Sequence, residues 1–293
     1  MKIGLYNIDS KIPNIALMKI SMYHKAQGDT VNWCLPLEFG MYDKIYASSI
    51  FTYSNKEYVI DNMVCGGTGF DVKLALPQEI DDCDQDYSLY PDFKYAIGFL
   101  TRGCIRKCPW CIVPEKEGYI RPYRNIEQVA QGRKEVILLD NNVLAHPHGL
   151  KQIERIVELG LKVDFNQGLD ARLIDDEIAK LLSKVKWLRP IRMACDDESM
   201  IRPVVKATEF LRKHNCTPSV YSVYVLVKDI PSALKRVEEL RKHNLDPFAQ
   251  PFRDRDGNEP PKKLKEFARW VNHKAIFKSI SWDEYSASKK IVY

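Results

Sequence analysis

Eight cysteines are spread over 293 residues, and three of them, Cys104, Cys108 and Cys111, fall in the short run TRGCIRKCPWCIVPEKEG. Thiolates are soft ligands, and three at C-x3-C-x2-C spacing on one loop suit a metal centre. A structural zinc needs four ligands, usually two C-x2-C-type pairs or one such pair with a later histidine pair. No partner pair stands at a customary distance here. His146 and His148 would complete a Cys3His set, but AHPHG reads more simply as a turn. An iron–sulfur cluster fits three thiols better. A 4Fe–4S cluster held by three cysteines leaves one iron open to a ligand from outside, as catalytic zinc sites keep a position open. The other five, Cys34, Cys65, Cys83, Cys195 and Cys216, stand singly and are expected as small buried hydrophobes.

The loop needs elements to hold it, and the pattern supplies two series. In the first ninety residues, KIGLYNI is a strand. Residues 14–27 place Ile15, Met18, Ile20, Met22 and Tyr23 at helical spacing, with Gly28 as the stop. TVNWCL, YDKIYASSIF and EYVIDNMVCGG follow as strands, the last ending in a glycine turn whose Gly66, Gly67 and Gly69 could line a cleft. Acidic DDCDQDYSLYPD, residues 81–92, reads as an exposed linker. From FKYAIGFL a second series begins. EVILLD, KVDFNQ, PIRMAC, VYSVYVLV (220–227) and PFAQPF alternate with amphipathic helices at 149–159, 175–185, 201–214 and 231–243. Strand and helix repeated six times give an open doubly wound sheet or a partly closed barrel, and periodicity does not choose between them. In either, the cysteine loop follows the first strand of the series at its C-terminal end, where chemistry collects. A turn and a lysine- and aromatic-rich helix, 262–272, complete the chain.

CIRKCPWC resembles the C-x3-C-x-aromatic-C signature of the radical S-adenosylmethionine (SAM) enzymes, with Trp110 as the aromatic residue. The resemblance implies a partial (βα)6 TIM-like radical SAM barrel over residues 91–255. Before it would stand a small Rossmann-like α/β domain (1–90), and after it a C-terminal extension (256–293) with a basic, aromatic helix. It implies that Cys104, Cys108 and Cys111 hold a 4Fe–4S cluster whose open iron takes SAM. Reductive cleavage then gives methionine and a 5′-deoxyadenosyl radical that abstracts hydrogen from substrate. The N-terminal region is similar to the superfamily branch with a cobalamin-binding-like domain, but shortened and without the axial D-x-H-x-x-G motif. Cobalamin is therefore not expected, and His24, in SMYHKAQG, reads as a surface histidine.

Residues for SAM follow from strand ends. The second strand ends in Asp140, Asn141 and Asn142, where the family often has glycine-glycine-glutamate; a carboxylate there could accept the SAM ammonium, and D-N-N is equally a good turn. After the third strand come Asn166, Gln167, Asp170 and Arg172. Arg172 could pair with the SAM carboxylate, while Asp170 and Asp175 could simply cap a helix. Asp196 or Asp197 could bond the ribose or cap the next helix, and Tyr224 could pack on adenine or belong to the core.

A formal net charge of +5 with interleaved acids is that of a mixed-sign surface and does not by itself indicate a nucleic-acid groove. No apolar run approaches a bilayer span, and Asp9, Lys11 and Pro13 interrupt any leader, so a cytoplasmic protein is expected. The implied partners are a flavodoxin- or ferredoxin-like reductant and an unidentified substrate, with no membrane. Nucleotide or nucleic-acid modification is weakly preferred over a peptide or small metabolite. The alternative from another class is a non-catalytic metal-binding regulatory module.

Overall fold

The computed structural model describes residues 1–216 and 221–290. In the first series β1 (Lys2–Asn7), β2 (Thr30–Trp33), β3 (Lys44–Ser48) and β4 (Val64–Gly66) form one parallel sheet in the order β2-β1-β3-β4. Helix α1 (Ile15–Ala26) crosses from β1 to β2. Asn14 caps it by accepting from the Leu17 N–H at 3.2 Å, and Gly28, at φ +82°, ends it, as side-chain N-caps and left-handed glycine stops do. Its Leu17 and Ile20 bury against Ile3, Leu5, Val31 and Tyr46. The expected long strand over EYVIDNM is absent, and only Val64–Gly66 pairs. The stretch before it is spent on turns, Val59 N–H to Lys56 and Met63 N–H to Ile60.

Two expectations for this half are corrected. His24 is buried, because its ring sits between Asp29, 2.6 Å away, and the Tyr46 hydroxyl, 2.9 Å away. The segment 81–92 is no exposed linker. Helix α2 (Gln78–Asp81) leads into it, and Gln85, Asp86 and Tyr87 are buried. Its acids are used: Asp86 accepts from Ser21 and Lys25 of α1 at 2.6 and 2.7 Å, and Asp81 pairs with the fully buried Lys19 at 2.8 Å.

The second series opens with β5 (Ala96–Gly98), buried along its whole length as a strand covered on both faces is. A small antiparallel hairpin, β6 (Thr101–Arg102) and β7 (Arg121–Pro122), brackets the cysteine loop and the one-turn helix α3 (Val113–Lys116). Then α4 (Ile126–Ala130), β8 (Glu135–Leu138), α5 (Pro147–Glu158), β9 (Lys162–Phe165), α6 (Asp176–Leu182), the short β10 (Lys186–Trp187), β11 (Ile191–Ala194), α7 (Ile201–Lys213), β12 (Tyr221–Val227), α8 (Ile230–Lys242) and β13 (Asp246–Pro251) follow. The expected fifth strand starts at Val220, which lies outside the described residues.

Strands β5, β8 and β9 pair in parallel in chain order, with β10 beside β9, and β11, β12 and β13 do the same in a second sheet. One parallel bridge, Leu169 to Met193, links the two, with the Leu169 N–H donating to the Arg192 carbonyl at 2.8 Å. The result is a mixed α/β protein built on parallel strands. Along β12 alternate residues are buried (Tyr221, Val223, Val225, Val227), and the others turn to a more open face.

Helix α9 (Lys262–Asn272) has the expected bounds, and α10 (Lys274–Ser279) and α11 (Trp282–Lys290) follow it. Phe267, Trp270, Phe277 and Trp282 pack edge-on or tilted and fix this corner to the core. The Asn272 side chain donates to the Ala249 carbonyl at 2.9 Å and accepts from its N–H at 2.8 Å. It so occupies part of the outer edge of β13. Across the expected boundary near residue 90, Met18 of α1 shares a buried cluster with Tyr87, Ile97 and Ile137. No described helix is long and apolar enough to cross a membrane.

Candidate metal centre and adjoining cleft

The cysteine loop is held at its base by backbone requirements. Gly103 adopts φ +84°, and a Cβ there would lie 2.4 Å from the Tyr119 carbonyl, so only glycine fits. The Cys104 N–H reaches the Gly118 carbonyl at 3.2 Å. Glu117, whose side chain is 9% exposed, accepts from the Gly103 N–H and from Asn141 Nδ2, each at 2.8 Å, and pairs with Arg102 at 2.8 Å. Asp140 lies below this base, 3% exposed. It accepts from the Leu100 N–H at 3.1 Å, the Thr101 N–H at 2.6 Å and the Thr101 hydroxyl at 2.7 Å. Burial pushes its carboxyl up to about 6, against the pull of those donors. Asp140 thus fastens the loop to the end of β8.

The three thiols are free and half-buried. Burial raises the Cys108 and Cys111 thiols, and neighbouring thiols of the triplet add to it; Arg172 opposes the rise at Cys108 and Arg255 at Cys111. Among the described residues no three His, Cys, Asp or Glu side chains are drawn closely enough together to hold a single metal ion. The donor set is nonetheless soft, and polar hydrogens already point at sulfur. The Arg106 N–H lies 3.3 Å and Asn142 Nδ2 3.5 Å from Cys104 Sγ. Hydrogen bonds to sulfur of this kind tune iron–sulfur centres, so the residues fit a cluster in chemistry.

Around the loop the strand ends bring several expected residues together. Asp170 accepts from Arg106 Nε at 2.9 Å, Arg172 Nε at 2.7 Å and Asn142 Nδ2 at 3.2 Å. Burial would raise its carboxyl, but the two arginines outweigh burial and hold it below the ordinary range. It also accepts from the Arg172 N–H at 3.2 Å, so capping and charge pairing coexist in one side chain. Asn142 is buried, and its Oδ1 has no hydrogen-bond partner among the described residues. The two neighbouring acids after β11 point to different surroundings. Asp197 caps by accepting from the Ser199 N–H at 2.8 Å, whereas Asp196 turns to the cleft and accepts from the Leu226 N–H at 3.1 Å. Burial raises the Asp196 carboxyl, opposed by Leu226, Arg236, Lys228 and Trp110.

The cleft has a volume of about 860 Å³ and opens at the C-terminal ends of β9, β11, β12 and β13. Trp110 from the cysteine loop, Gln167, Asp196 and Tyr224 line it, joined by Phe248 and by Lys265 and Arg269 of α9. Tyr224 and Phe248 meet edge to face at 5.6 Å, and the Lys228 ammonium stands 3.6 Å over the Trp110 ring. The second of these is a cation–π contact and fixes the indole. Of the glycines after β4, Gly66 faces open space, whereas Gly67 and Gly69 are close-packed. Their missing Cβ atoms admit Ser49 and the Phe51 carbonyl, which a side chain would meet at 2.3 and 2.6 Å. Beside them, Thr68 accepts from Lys116, so this turn seats against α3.

Glu117, Arg106, Lys228, Arg255, Lys265 and Arg269 stand outside the candidate set read from the sequence. Arg106 lies inside the motif, and Lys265 and Arg269 stand four apart on a helix, which are the available signals. Nothing local marks Glu117, Lys228 or Arg255, whose partners are remote or on other strands. In comparison with known proteins, the chain matches no family model and no curated protein.

Proposed function

We propose that this chain is a radical SAM enzyme. One observation carries the reading: the loop bearing Cys104, Cys108 and Cys111 sits at the C-terminal end of β5 and presents Trp110 to a cleft at the ends of the following parallel strands. Six main strands pairing in chain order support reading residues 91–255 as a partial (βα)6 barrel, with residues 1–90 as a Rossmann-like covering domain.

Cys104, Cys108 and Cys111 would hold a 4Fe–4S cluster. The chemistry supplied by that group, when bound, is one-electron reduction of the SAM sulfonium, giving methionine and a 5′-deoxyadenosyl radical for hydrogen abstraction. The protein's own part is positioning. Arg106 and Arg172, both charged and both on Asp170, orient the wall beside Cys104, and Arg172 has a planar fork suited to a carboxylate. The orphaned Asn142 Oδ1 is an acceptor without a donor, and an ammonium group would satisfy it. Asp196 can accept from ribose hydroxyls, with Trp110, held by Lys228, as a stacking surface. The electron would come from a flavodoxin- or ferredoxin-like partner.

The test is anaerobic reconstitution with iron and sulfide, followed by dithionite and SAM. Methionine and 5′-deoxyadenosine should form together. Replacing any one of the three cysteines by alanine should lower bound iron severalfold and abolish both products. An intact cluster that yields no 5′-deoxyadenosine defeats the proposal.

A further inference from the structure

The cleft has a second wall, on α9 and β13, to which the proposed cofactor contacts assign no role. Helix α9 lies along β13 and is pinned there by the two Asn272 bonds to Ala249. Lys265, Ala268, Arg269 and Asn272 recur at three- and four-residue spacing, and all four line the cleft, so one stripe of α9 borders the opening. The opposite stripe, Phe267, Trp270 and Val271, is buried in the core. The helix therefore cannot roll without breaking its aromatic packing, which keeps the exposed Lys265 and Arg269 on the cleft side.

Their charge is only partly spent. Lys265 pairs with Glu259, whose side chain is 73% exposed and which is shared with Arg253 at 3.7 Å. The Arg269 guanidinium has no hydrogen-bond or ion-pair partner among the described residues. Beside them on β13, Phe248 leaves 43% of its surface open, with its ring edge-on to Tyr224. Gln250 supplies an amide on the same strand. A planar ring, an amide and two cations one helical turn apart on a common wall describe a receptor for a flat heterocycle carrying an anion.

We propose that this α9–β13 wall binds the substrate as a nucleotide, with its phosphate between Arg269 and Lys265 and its base against Phe248. The proposal deepens the radical-enzyme reading by naming the substrate class, and it rests on that reading only in taking the cleft as the reaction chamber. Arg269 is the main anion contact, because its fork can hold two phosphate oxygens and it has no competing carboxylate among the described residues. Phe248 adds sequence-tolerant stacking. The phosphate could belong to a free nucleotide or to a nucleotide within a single strand, and the two sources share this chemistry.

The experiment is direct binding to the full chain by calorimetry, without SAM, so that no turnover is needed. The probes are the four ribonucleoside 5′-monophosphates, the matching nucleosides, and short single-stranded RNA and DNA oligomers. At least one monophosphate should bind about tenfold or more tightly than its nucleoside, as a charge-assisted bidentate contact warrants. Arg269→Gln should erase that difference, Arg269→Lys should retain part of it, and Phe248→Ala should weaken nucleotide and nucleoside alike. Lys263→Gln, on an exposed position of the same helix, should change nothing. Oligomers binding more tightly than every mononucleotide, with the same loss in Arg269→Gln, would support the proposal and identify a strand as the source. Equal binding of nucleosides and monophosphates, no binding of either, or a phosphate preference unchanged in Arg269→Gln would overturn it. Overturned binding with 5′-deoxyadenosine still formed removes this proposal alone. Intact binding without 5′-deoxyadenosine removes the enzyme reading alone.

Discussion

At the scale of residues, Asp140 separates holding a site from serving in it. Its type and its place at a strand end draw it into the candidate set, but the side chain is consumed by Leu100 and Thr101. Asp140→Ala would strand two buried N–H groups, each worth about 1–3 kcal/mol when unsatisfied, so a loss of about 2–6 kcal/mol is expected. Asp140→Asn keeps an acceptor and should cost less at neutral pH. The sign with pH follows from the carboxyl being raised from 3.8 to about 6 in the folded protein. The native state then binds the proton more tightly than the unfolded chain. That contribution is complete below 3.8 and is lost as pH rises through about 6, with an upper size of roughly 3 kcal/mol. Urea unfolding from pH 4 to pH 7 should therefore show the gap between wild type and Asp140→Asn narrowing as pH rises. A gap that widens instead would mean that the donors, and not burial, govern this carboxyl. The cysteine triplet is legible in the sequence because all three ligands are local in it. Glu117 is not, since its meaning depends on Gly103, Arg102 and Asn141 arriving around it.

At the scale of elements, periodicity locates helices well wherever one face is apolar and the ends carry caps. Helix α9 matches its expected bounds because Pro261 precedes it and Trp270 and Phe267 define its buried stripe. Periodicity fails at 57–63, where β-branched and aromatic residues are spent in turns, and composition fails at 81–92, where acidity suggests solvent. Those acids answer cations and a hydroxyl on α1, a long-range fact that composition does not carry. Lys25 and Ser21 hold the Asp86 carboxyl below its ordinary range in spite of burial, and Lys19 and Tyr123 do the same for Asp81. For depressed carboxyls the stability is present above the unfolded value of 3.8 and is lost as pH falls through the lower folded value. Acid should thus loosen α1 from the 81–88 segment. Asp86→Ala should cost about 1–3 kcal/mol at pH 7, and the penalty should shrink in urea titrations carried below pH 4. A penalty equally large at pH 3 would refute the linkage.

At the scale of the whole molecule, the cleft is the least legible feature, because it exists only when β9, β11, β12, β13, α9 and the cysteine loop are all in place. The sequence marks a basic, aromatic C-terminal helix; only its seat on β13 sets the exposed Lys265 and Arg269 on the rim of the cleft. The same dependence on distant parts governs how the two halves hold together. Met18, fully buried, packs with Ile97 and Ile137, and beside it the buried Lys19 reaches Asp81 and the Tyr123 hydroxyl. Farther round, Thr52 donates to the Arg255 carbonyl at 3.2 Å, and Arg255 in turn reaches Glu115 at 2.6 Å and the Cys111 carbonyl at 3.4 Å. A loop of the first series is thereby tied to the cysteine loop of the second. Met18→Ala would open a cavity at this shared core and should cost about 2–5 kcal/mol. Because the cluster belongs to both halves, the loss should appear in both. Hydrogen exchange should show the slowest amides of β1 and of β8 losing protection by the same amount, within a single unfolding transition. If only β1 loses protection while β8 keeps its full value, the halves unfold independently, and the Thr52–Arg255–Cys111 chain of contacts would be too weak to couple the first series to the cysteine loop.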